Sequence, residues 1–252
     1  MKKIFSFLVL FIVVSTAYSQ HTIYIGAQGG ICIPNLSAGN IDPLSTGFES
    51  ALGADFGALA EFSINKWFSI QPEIDYSQEG GKRDGLQPFI NQFQNIAPQP
   101  YLYADYNAGI QLNYLLIPVM AKFKFAIAHK LEFYINAGGY IGLLLKAKTK
   151  TSGNSLIYYD AAGQNAQQVY PGIYNFDQQV NITDSLKTFN AGVITSIGFS
   201  YDIGRGKIFI EGGGNYGFVT VQKSAANGAN NALAATMHLG YAYSLRKRKK
   251  IQ

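Results

Sequence analysis

Apolar and polar residues alternate along most of the chain with a period of two. Between Thr22 and Ile33 the odd positions are apolar or small, whereas the even positions include Tyr24 and Gln28. This period is typical of β-strands, whose successive side chains point to opposite faces. The same pattern recurs and predicts eight strands, at residues 22–33, 51–64, 67–79, 110–125, 131–148, 189–202, 207–218 and 233–245.

Charged residues occupy only one of the two faces of these strands. In a soluble β-sandwich or barrel, the apolar face would form the core and the charges would meet water. In a membrane barrel, the apolar face contacts lipid and the polar face fills the lumen. The alternation alone fits both structures. On the membrane interpretation the lumen-facing residues are Asp55, Glu61, Glu73, Asp75, Lys122, Lys124, Glu132, Lys146, Lys148, Asp202, Lys207, Glu211 and His238.

The connections between the predicted strands alternate between long and short. Short turns on one rim and long loops on the other are expected of an outer-membrane barrel, and strands of about 12 residues suit a tilted crossing. We therefore predict an all-β fold over residues 20–245: a transmembrane, eight-stranded, antiparallel up-and-down β-barrel with long extracellular loops and short periplasmic turns. The long connections are 34–50, 80–109, 149–186 and 222–231, and the short ones are 65–66, 126–130 and 203–206.

The two ends of the chain differ in composition from the rest. Two lysines precede an apolar run at residues 4–14, and small residues follow, so residues 1–19 are predicted to be a signal peptide. Residues 246–252 form a basic tail. The chain has 20 bases and 15 acids, but 13 of the bases lie between these two ends. So balanced a charge argues against a nucleic-acid partner. Export leaves the periplasm, the medium or the outer membrane, and the predicted barrel favours the outer membrane.

The composition offers little for catalysis or metal binding. Only 14% of the residues are charged, against about 25% in ordinary soluble domains. The single Cys32 excludes a disulfide framework, and no Cys/His spacing suggests zinc. Ser196, Glu211 and His238 are the one set on the lumen face with hydrolase-like chemistry, and a packed, hydrogen-bonded His238 is the alternative. We predict no catalytic, cofactor-binding or metal-binding residue, and no enzyme activity.

The predicted size of the barrel has a consequence for its interior. Eight strands enclose a space only wide enough for their own side chains, so the lumen is expected to be filled. Buried charges need partners. We expect Lys124 to pair with Glu132 across one short turn, and Asp202 to pair with Lys207 across another.

Three segments of the chain resemble a known family. They are FSIQPEIDYSQEGGK from Phe68, NYLLIPVMAKFK from Asn113 and FYINAGGYIGLLL from Phe133. They are similar to outer-membrane β-barrels that include the PorT-like proteins, and the similarity extends over essentially the whole mature chain. The characteristic positions here are Gln71, Pro72, Glu73, Tyr114, Pro118, Gly138, Gly139 and Tyr140. The resemblance implies a porin-like barrel fold and, through the PorT-like members, a link to protein secretion.

Two of the long loops are rich in aromatic residues and nearly uncharged. Tyrosine on a polar loop supplies contact area at a modest entropic cost, which favours a recognition surface. The alternative is that the rings pack among themselves or extend the barrel wall. The candidate interaction residues are Phe89, Phe93, Tyr101, Tyr103, Tyr158, Tyr159, Tyr170 and Tyr174.

These observations predict a structural or interaction protein of the outer membrane that acts through its extracellular loops. Its expected partners are outer-membrane lipid and envelope or secretion proteins, and it is expected to be a monomer. Two alternatives remain at this point. One is a narrow, porin-like channel or transporter for small solutes, and the other is a soluble periplasmic ligand-binding barrel.

Overall fold

The computed structural model describes residues 22–93, 97–163 and 172–245, so the predicted signal peptide and basic tail lie outside the described residues. These residues form thirteen strands, of which eight are long. Every predicted strand is present, and the two central ones extend further than the alternation indicated. The strands are β1 (Ile23–Ala38), β2 (Gly53–Ser63), β3 (Phe68–Arg83), β4 (Leu86–Ile90), β5 (Tyr101–Asp105), β6 (Asn107–Ala128), β7 (Leu131–Ser152), β8 (Asn154–Ser155), β9 (Tyr174–Asn175), β10 (Gln178–Asn181), β11 (Phe189–Ile203), β12 (Gly206–Thr220) and β13 (Asn230–Ser244).

The eight long strands form a closed antiparallel barrel. Each pairs with its neighbour in the order β7, β11, β12, β13, β1, β2, β3, β6, and pairing of β6 with β7 closes the ring. The first strand, β1, pairs with the last, β13, along its length, from Tyr24 opposite Ser244 to Ala38 opposite Asn230. Closure satisfies the backbone hydrogen-bonding groups of every long strand, which is what a β-structure needs in order to cross a lipid bilayer. The predicted fold class is therefore confirmed.

The apolar face lies on the outside of the barrel. Ile74, Val119 and Ile197 are each more than half exposed. Asp75 and Met120, which follow Ile74 and Val119 in the sequence and point inward, are buried. A soluble protein would instead bury its apolar side chains, because their exposure to water is unfavourable. The alternative of a soluble barrel with an apolar interior is consequently wrong.

The rim with the short turns is the rim where both ends of the barrel lie. The turns span residues 64–67, 129–130 and 204–205, and the start of β1 and the end of β13 are on the same side. Trp67, Tyr201, Tyr241 and Tyr243 are exposed near this rim, where amphipathic rings favour the boundary between lipid and water. Within the described ranges, no helix is both long and apolar enough to cross a membrane.

The long connections contain structure that the alternation did not predict. Strands β4 and β5 form a hairpin, β8 pairs with β9, and β10 extends the barrel sheet beside β7. The last two connections each include a short 3-10 turn, at Thr183–Ser185 and Ala225–Asn227. The extracellular end is thus a folded region built on the barrel.

Glycines allow bulky tyrosines to lie flat inside this narrow barrel. A Cβ at Gly198 would lie 2.6 Å from the Tyr134 ring, and one at Gly192 would lie 2.7 Å from the Tyr140 ring. Real Cβ atoms do not come so close, so any other residue would clash with the ring and also with the backbone oxygen of Ile210 or Tyr216 on the neighbouring strand. Both tyrosines are buried in the lumen.

Candidate functional site

The lumen next to the short-turn rim is filled by one carboxylate and three lysines. Lys207 Nζ lies 2.6 Å from Glu61 Oε2, Lys122 Nζ lies 3.1 Å from the same oxygen, and Lys124 Nζ lies 3.3 Å from Glu61 Oε1. Glu61 is fully buried, and the three ammonium groups come from β6 and β12. Charges so deeply desolvated are stable only when they are paired and hydrogen-bonded.

Aromatic rings offset the excess of positive charge in this cluster. Lys122 Nζ lies 3.9 Å from the centre of the Tyr134 ring, and Lys207 Nζ lies 4.4 Å from the centre of the Tyr24 ring. The negative face of an aromatic ring attracts a cation at these distances, most strongly where water is excluded. The lower lumen is therefore held together by electrostatic contacts among five strands, β1, β2, β6, β7 and β12.

A hydrogen-bonded network occupies the middle of the lumen. Gln28 Nε2 donates to Glu73 Oε2 at 3.0 Å and to Asp75 Oδ1 at 3.1 Å. Gln71 Nε2 donates to Glu73 Oε1, and its own Oε1 accepts from Lys122 Nζ at 2.9 Å. These amides connect the central carboxylates to the lysine cluster and hold their side chains in fixed positions.

His238 lies between two carboxylates. Its Nε2 is 3.1 Å from Asp55 Oδ1, and its Nδ1 is 3.6 Å from Glu211 Oε1. Both ring nitrogens thus face carboxylates, and Ser196 Oγ accepts a hydrogen bond from Asn136 Nδ2 at 3.0 Å. A serine hydrolase needs a histidine nitrogen directed at the serine oxygen. Ser196, Glu211 and His238 are neighbours here but are not arranged as such a triad.

An apolar cap closes the lumen toward the long loops. Beneath it, Asn215 Nδ2 donates to Glu79 Oε1 at 2.9 Å. The small cavity between the central carboxylates and the cap measures about 20 Å³, which is room for about one water molecule. Side chains therefore fill the lumen at its lower, middle and upper levels. The buried residues of the cap are Leu36, Leu112, Tyr114, Leu116, Tyr140, Leu144, Ala147, Leu186, Val221 and Ala232.

Both predicted ion pairs across the short turns are wrong. Lys124 faces Tyr134 in the strand register and binds Glu61, while Glu132 lies at the rim, where Ser200 Oγ is 3.5 Å from its Oε2. Asp202 is the register partner of Lys207, yet Asp202 is exposed on the rim and Lys207 turns inward to Glu61. Lys124 and Lys207 do not pair with the carboxylates nearest to them in sequence or register. Both reach across the lumen to the buried carboxylate of Glu61.

Lys146 and Lys148 do not face the lumen. Asn113 pairs with Lys146 and the next residue, Tyr114, pairs with Leu144, so Leu145 is an extra residue in β7. Such a β-bulge exchanges the two faces of the strand beyond it. Ala147 is buried in the cap as a result, and the lysines on either side of it point outward. Of the other lumen predictions, Glu132 and Asp202 lie at the short-turn rim and are not buried. The remaining nine are buried inside the barrel: Asp55, Glu61, Glu73, Asp75, Lys122, Lys124, Lys207, Glu211 and His238.

The aromatic loop residues pack against one another on the extracellular side. We call the cluster that they form the extracellular head. Phe176 lies at its centre, stacked on Tyr106 with ring centres 4.5 Å apart and in edge contact with Phe89 at 5.4 Å. Phe93 meets Tyr174 edge-on at 5.9 Å. Most of the predicted loop residues therefore follow the alternative hypothesis, in which their rings pack against one another. The head consists of Phe89, Phe93, Ala97, Leu102, Ala104, Tyr106, Ala108, Ile157, Tyr159, Tyr174 and Phe176.

Backbone contacts tie the two aromatic loops together. Tyr103 and Tyr158 exchange N–H to O hydrogen bonds of 2.9 and 2.8 Å, and Tyr101 contacts Tyr103 edge-on. Burial raises the pKa of Tyr106 to about 12, so its phenol stays neutral under ordinary conditions. The hydrogen bonds from Gly153 N–H and Asn175 lower the pKa of the Asp177 carboxyl at the edge of the head. Tyr170 lies outside the described residues.

The most exposed apolar residues of the loops are aliphatic, and none of them was among the predicted interaction residues. Ile41, Leu52 and Ile173 are exposed by 97%, 72% and 69%, and Ile90 by 46%, whereas the described aromatic candidates are half-buried. A signal existed for Ile41, which is an isolated apolar residue between Asn40 and Asp42.

The described residues include no group of three or more His, Cys, Asp or Glu side chains arranged to hold a metal ion. The carboxylates of the middle lumen are instead bonded to the amides of Gln28 and Gln71 or placed beside His238. Cys32 is buried, with its Sγ 3.1 Å from the backbone oxygen of Gln78.

Several solved outer-membrane proteins have similar structures. Neisserial surface protein A is 14% identical, with a TM-score of 0.44, covering 88% of this chain and 96% of that chain. Ail of Yersinia pestis is 13% identical, with a TM-score of 0.38, covering 89% and 97%. OprG of Pseudomonas aeruginosa is 8% identical, with a TM-score of 0.40, covering 90% and 97%. No curated protein matches the chain.

The family comparison covers most of the sequence. The profile of the outer membrane protein beta-barrel domain matches residues 17–221, which include β1 to β12. The closed ring, the exposed apolar face and the charged lumen are the features of such a barrel. The chain therefore belongs to the outer membrane protein beta-barrel domain family and is an outer-membrane β-barrel protein.

Proposed function

We propose that this protein is a non-conducting, non-enzymatic barrel that presents a rigid extracellular head to a partner protein. The observation that carries the proposal is the combination of a filled lumen with an ordered head, in which Phe176 anchors both aromatic loops. A barrel built to pass solutes would keep a wet path through its interior. A head with its own core holds contact residues in place, which reduces the entropy lost on binding.

The exposed isoleucines of the loops are the residues that would contact the partner. Ile41, Ile90 and Ile173 lie on three different segments of the extracellular side. Exposed apolar side chains on a rigid scaffold are typical of binding surfaces. Envelope and secretion proteins are the partner class to test first, given the resemblance of the strands to PorT-like barrels. The barrel acts as a monomer in this proposal.

Photo-crosslinking in intact cells tests this role. A photoreactive residue is placed at Ile90 or Ile173, and matched variants carry it at Ile135 or Val193, which are exposed on the barrel wall. We expect one discrete protein adduct from the loop positions and none from the wall positions. Mass spectrometry of the adduct then identifies the partner. Absence of a protein adduct from every loop position, or the same adduct from the wall positions, would contradict the proposed role.

The narrow-channel alternative differs in a property that is directly measurable. It requires a continuous path past the lysine cluster, the central carboxylates and the cap, whereas the cavity between the last two has room for about one water. Single-channel recording separates the two hypotheses.

A further inference from the structure

The β-bulge at Leu145 creates a patch of lysines on the outer wall of the barrel. Beyond the bulge, Lys146, Lys148 and Lys150 lie on the outer face of β7, opposite Asn113, Gln111 and Gly109 of β6. On the other side of β6, Gly109 pairs with Lys82 of β3. Lys82 and Lys150 therefore lie in one row, about 10 Å apart across two strand spacings, with a glycine between them.

That row borders a cleft in the outer wall. The cleft has a volume of about 210 Å³, and its polar outward side chains are Gln78, Lys82, Gln111, Lys148, Lys150 and Gln179, with the exposed Leu52 at one edge. Gly109 contributes no side chain, and a Cβ there would meet only the backbone oxygen of Lys150, at 4.0 Å. The cleft is thus open at its centre and bordered on β3, β6 and β7 by hydrogen-bond donors.

The charge of the cleft is strongly positive. Among the described residues, Lys148 and Lys150 form no ion pair, and Lys82 has only a solvent-exposed contact of 3.7 Å with Glu49. Exposed pairs of this kind contribute little. Glu79 also borders the cleft, but its carboxylate is buried and accepts a hydrogen bond from Asn215 in the lumen. An anion would therefore meet ammonium and amide groups, and the one carboxylate that competes for them is the exposed Glu49 beside Lys82.

The cleft lies above the apolar band of the barrel. Below the row of Lys82, Gly109 and Lys150, the next two outward rows are Gly80, Gln111 and Lys148, and then Gln78, Asn113 and Lys146. The outward row after these, Tyr76, Leu115 and Leu143, is apolar. This change from apolar to cationic residues marks the level at which the hydrocarbon of the outer leaflet gives way to its headgroups.

From the charge, the size and this position, we propose that the cleft between β3, β6 and β7 binds the phosphate group of an anionic lipid of the outer leaflet. The acyl chains of the lipid would lie along the apolar wall formed by Leu115 and Leu143, while its phosphate contacts Lys82, Lys148 and Lys150. Basic pockets at the membrane surface attract such headgroups. This inference is independent of any partner of the extracellular head.

Native mass spectrometry of the folded protein in neutral micelles tests the proposal. The probes are diphosphorylated lipid A and the same glycolipid with its phosphates removed. The double variant Lys148→Gln/Lys150→Gln removes two charges from the cleft. The matched control, Lys66→Gln/Lys130→Gln, removes two exposed charges from the short turns at the opposite rim. Heat-dependent migration on gels verifies that all variants are folded.

We expect the wild-type protein to retain the phosphorylated lipid and the control variant to do so equally. Loss of two lysines near the membrane surface should weaken retention roughly 30-fold in the cleft variant. Equal retention by the two variants, or equal retention of the dephosphorylated glycolipid, would overturn the proposal. Displacement of the lipid by inorganic phosphate at equal concentration would also overturn it, since the site would then bind free anions.

Discussion

Lys207 of β12 and Glu61 of β2 form an ion pair across the lumen, with Nζ and Oε2 2.6 Å apart. Their strands are separated around the barrel wall by β13 and β1. The pair therefore joins parts of the wall that share no backbone hydrogen bonds. Lys122 and Lys124 approach the same carboxylate from β6, so one side chain connects three strands of the ring.

Replacing Glu61 with glutamine should destabilise the barrel strongly. The substitution leaves three buried ammonium groups without their carboxylate, and breaking a buried pair in this way costs about 3–5 kcal/mol. Urea unfolding in micelles, followed by the fluorescence of Trp67, the single tryptophan, measures the loss. Glu49→Gln is the control, because Glu49 contacts Lys82 only at an exposed site and should change stability by less than about 1 kcal/mol.

A second substitution distinguishes lost charge pairing from a general packing defect. Adding Lys207→Met to Glu61→Gln removes one of the uncompensated charges and should recover part of the stability. If the double variant is less stable than Glu61→Gln, the lysine cluster is not held by this carboxylate.

Adjacent glycines of β12 should respond very differently to alanine. A Cβ at Gly213 would lie 2.3 Å from Thr195 O and 2.6 Å from Ser196 Cβ, whereas one at Gly212 would meet only Thr236 O, at 3.8 Å. Gly213→Ala should thus lower the free energy of unfolding by about 1–3 kcal/mol through overpacking, and Gly212→Ala should leave it nearly unchanged. The same urea titration measures both, and equal midpoints would contradict the predicted close approach.

Phe176→Ala should loosen the extracellular head without opening the barrel. Phe176 contacts Tyr106, Phe89 and Tyr174, and deletion of a buried aromatic ring costs about 3–5 kcal/mol. Limited proteolysis should cleave the long loops faster while the barrel stays resistant. Ile173→Ala, which removes a side chain exposed by 69%, should be cleaved at the wild-type rate. Equal cleavage of the two variants would show that the ring does not hold the loops together.

The alternation of residue types and the alternating lengths of the connections were together sufficient to predict the barrel. A period of two fixes which face of each strand is apolar, and the alternating connection lengths then distinguish a membrane barrel from a soluble one. The prediction failed where a single extra residue, Leu145, reversed the faces of β7 and turned Lys146 and Lys148 outward. The alternation of residue types along one strand does not reveal a β-bulge, because a bulge depends on the hydrogen-bond register between two strands.

The contacts inside the lumen were harder to predict than the faces. The sequence places Lys124 and Lys207 on the inner face, yet their common partner, Glu61, is 63 and 146 residues away along the chain. Which carboxylate a buried lysine reaches depends on the tilt and stagger of the closed barrel. The order of the extracellular head was unpredictable for the same reason, since Tyr106 and Phe176 meet only after the barrel brings their loops together.

Single-channel recording in planar bilayers tests the filled lumen most directly. The purified, folded monomer is added at neutral pH. A trimeric porin, measured separately, is the positive control that shows that the assay detects open pores. Because side chains occupy the lumen from Glu61 to the cap around Tyr114, we expect the protein to insert without discrete current steps. Reproducible single-channel steps from the pure monomer would contradict it.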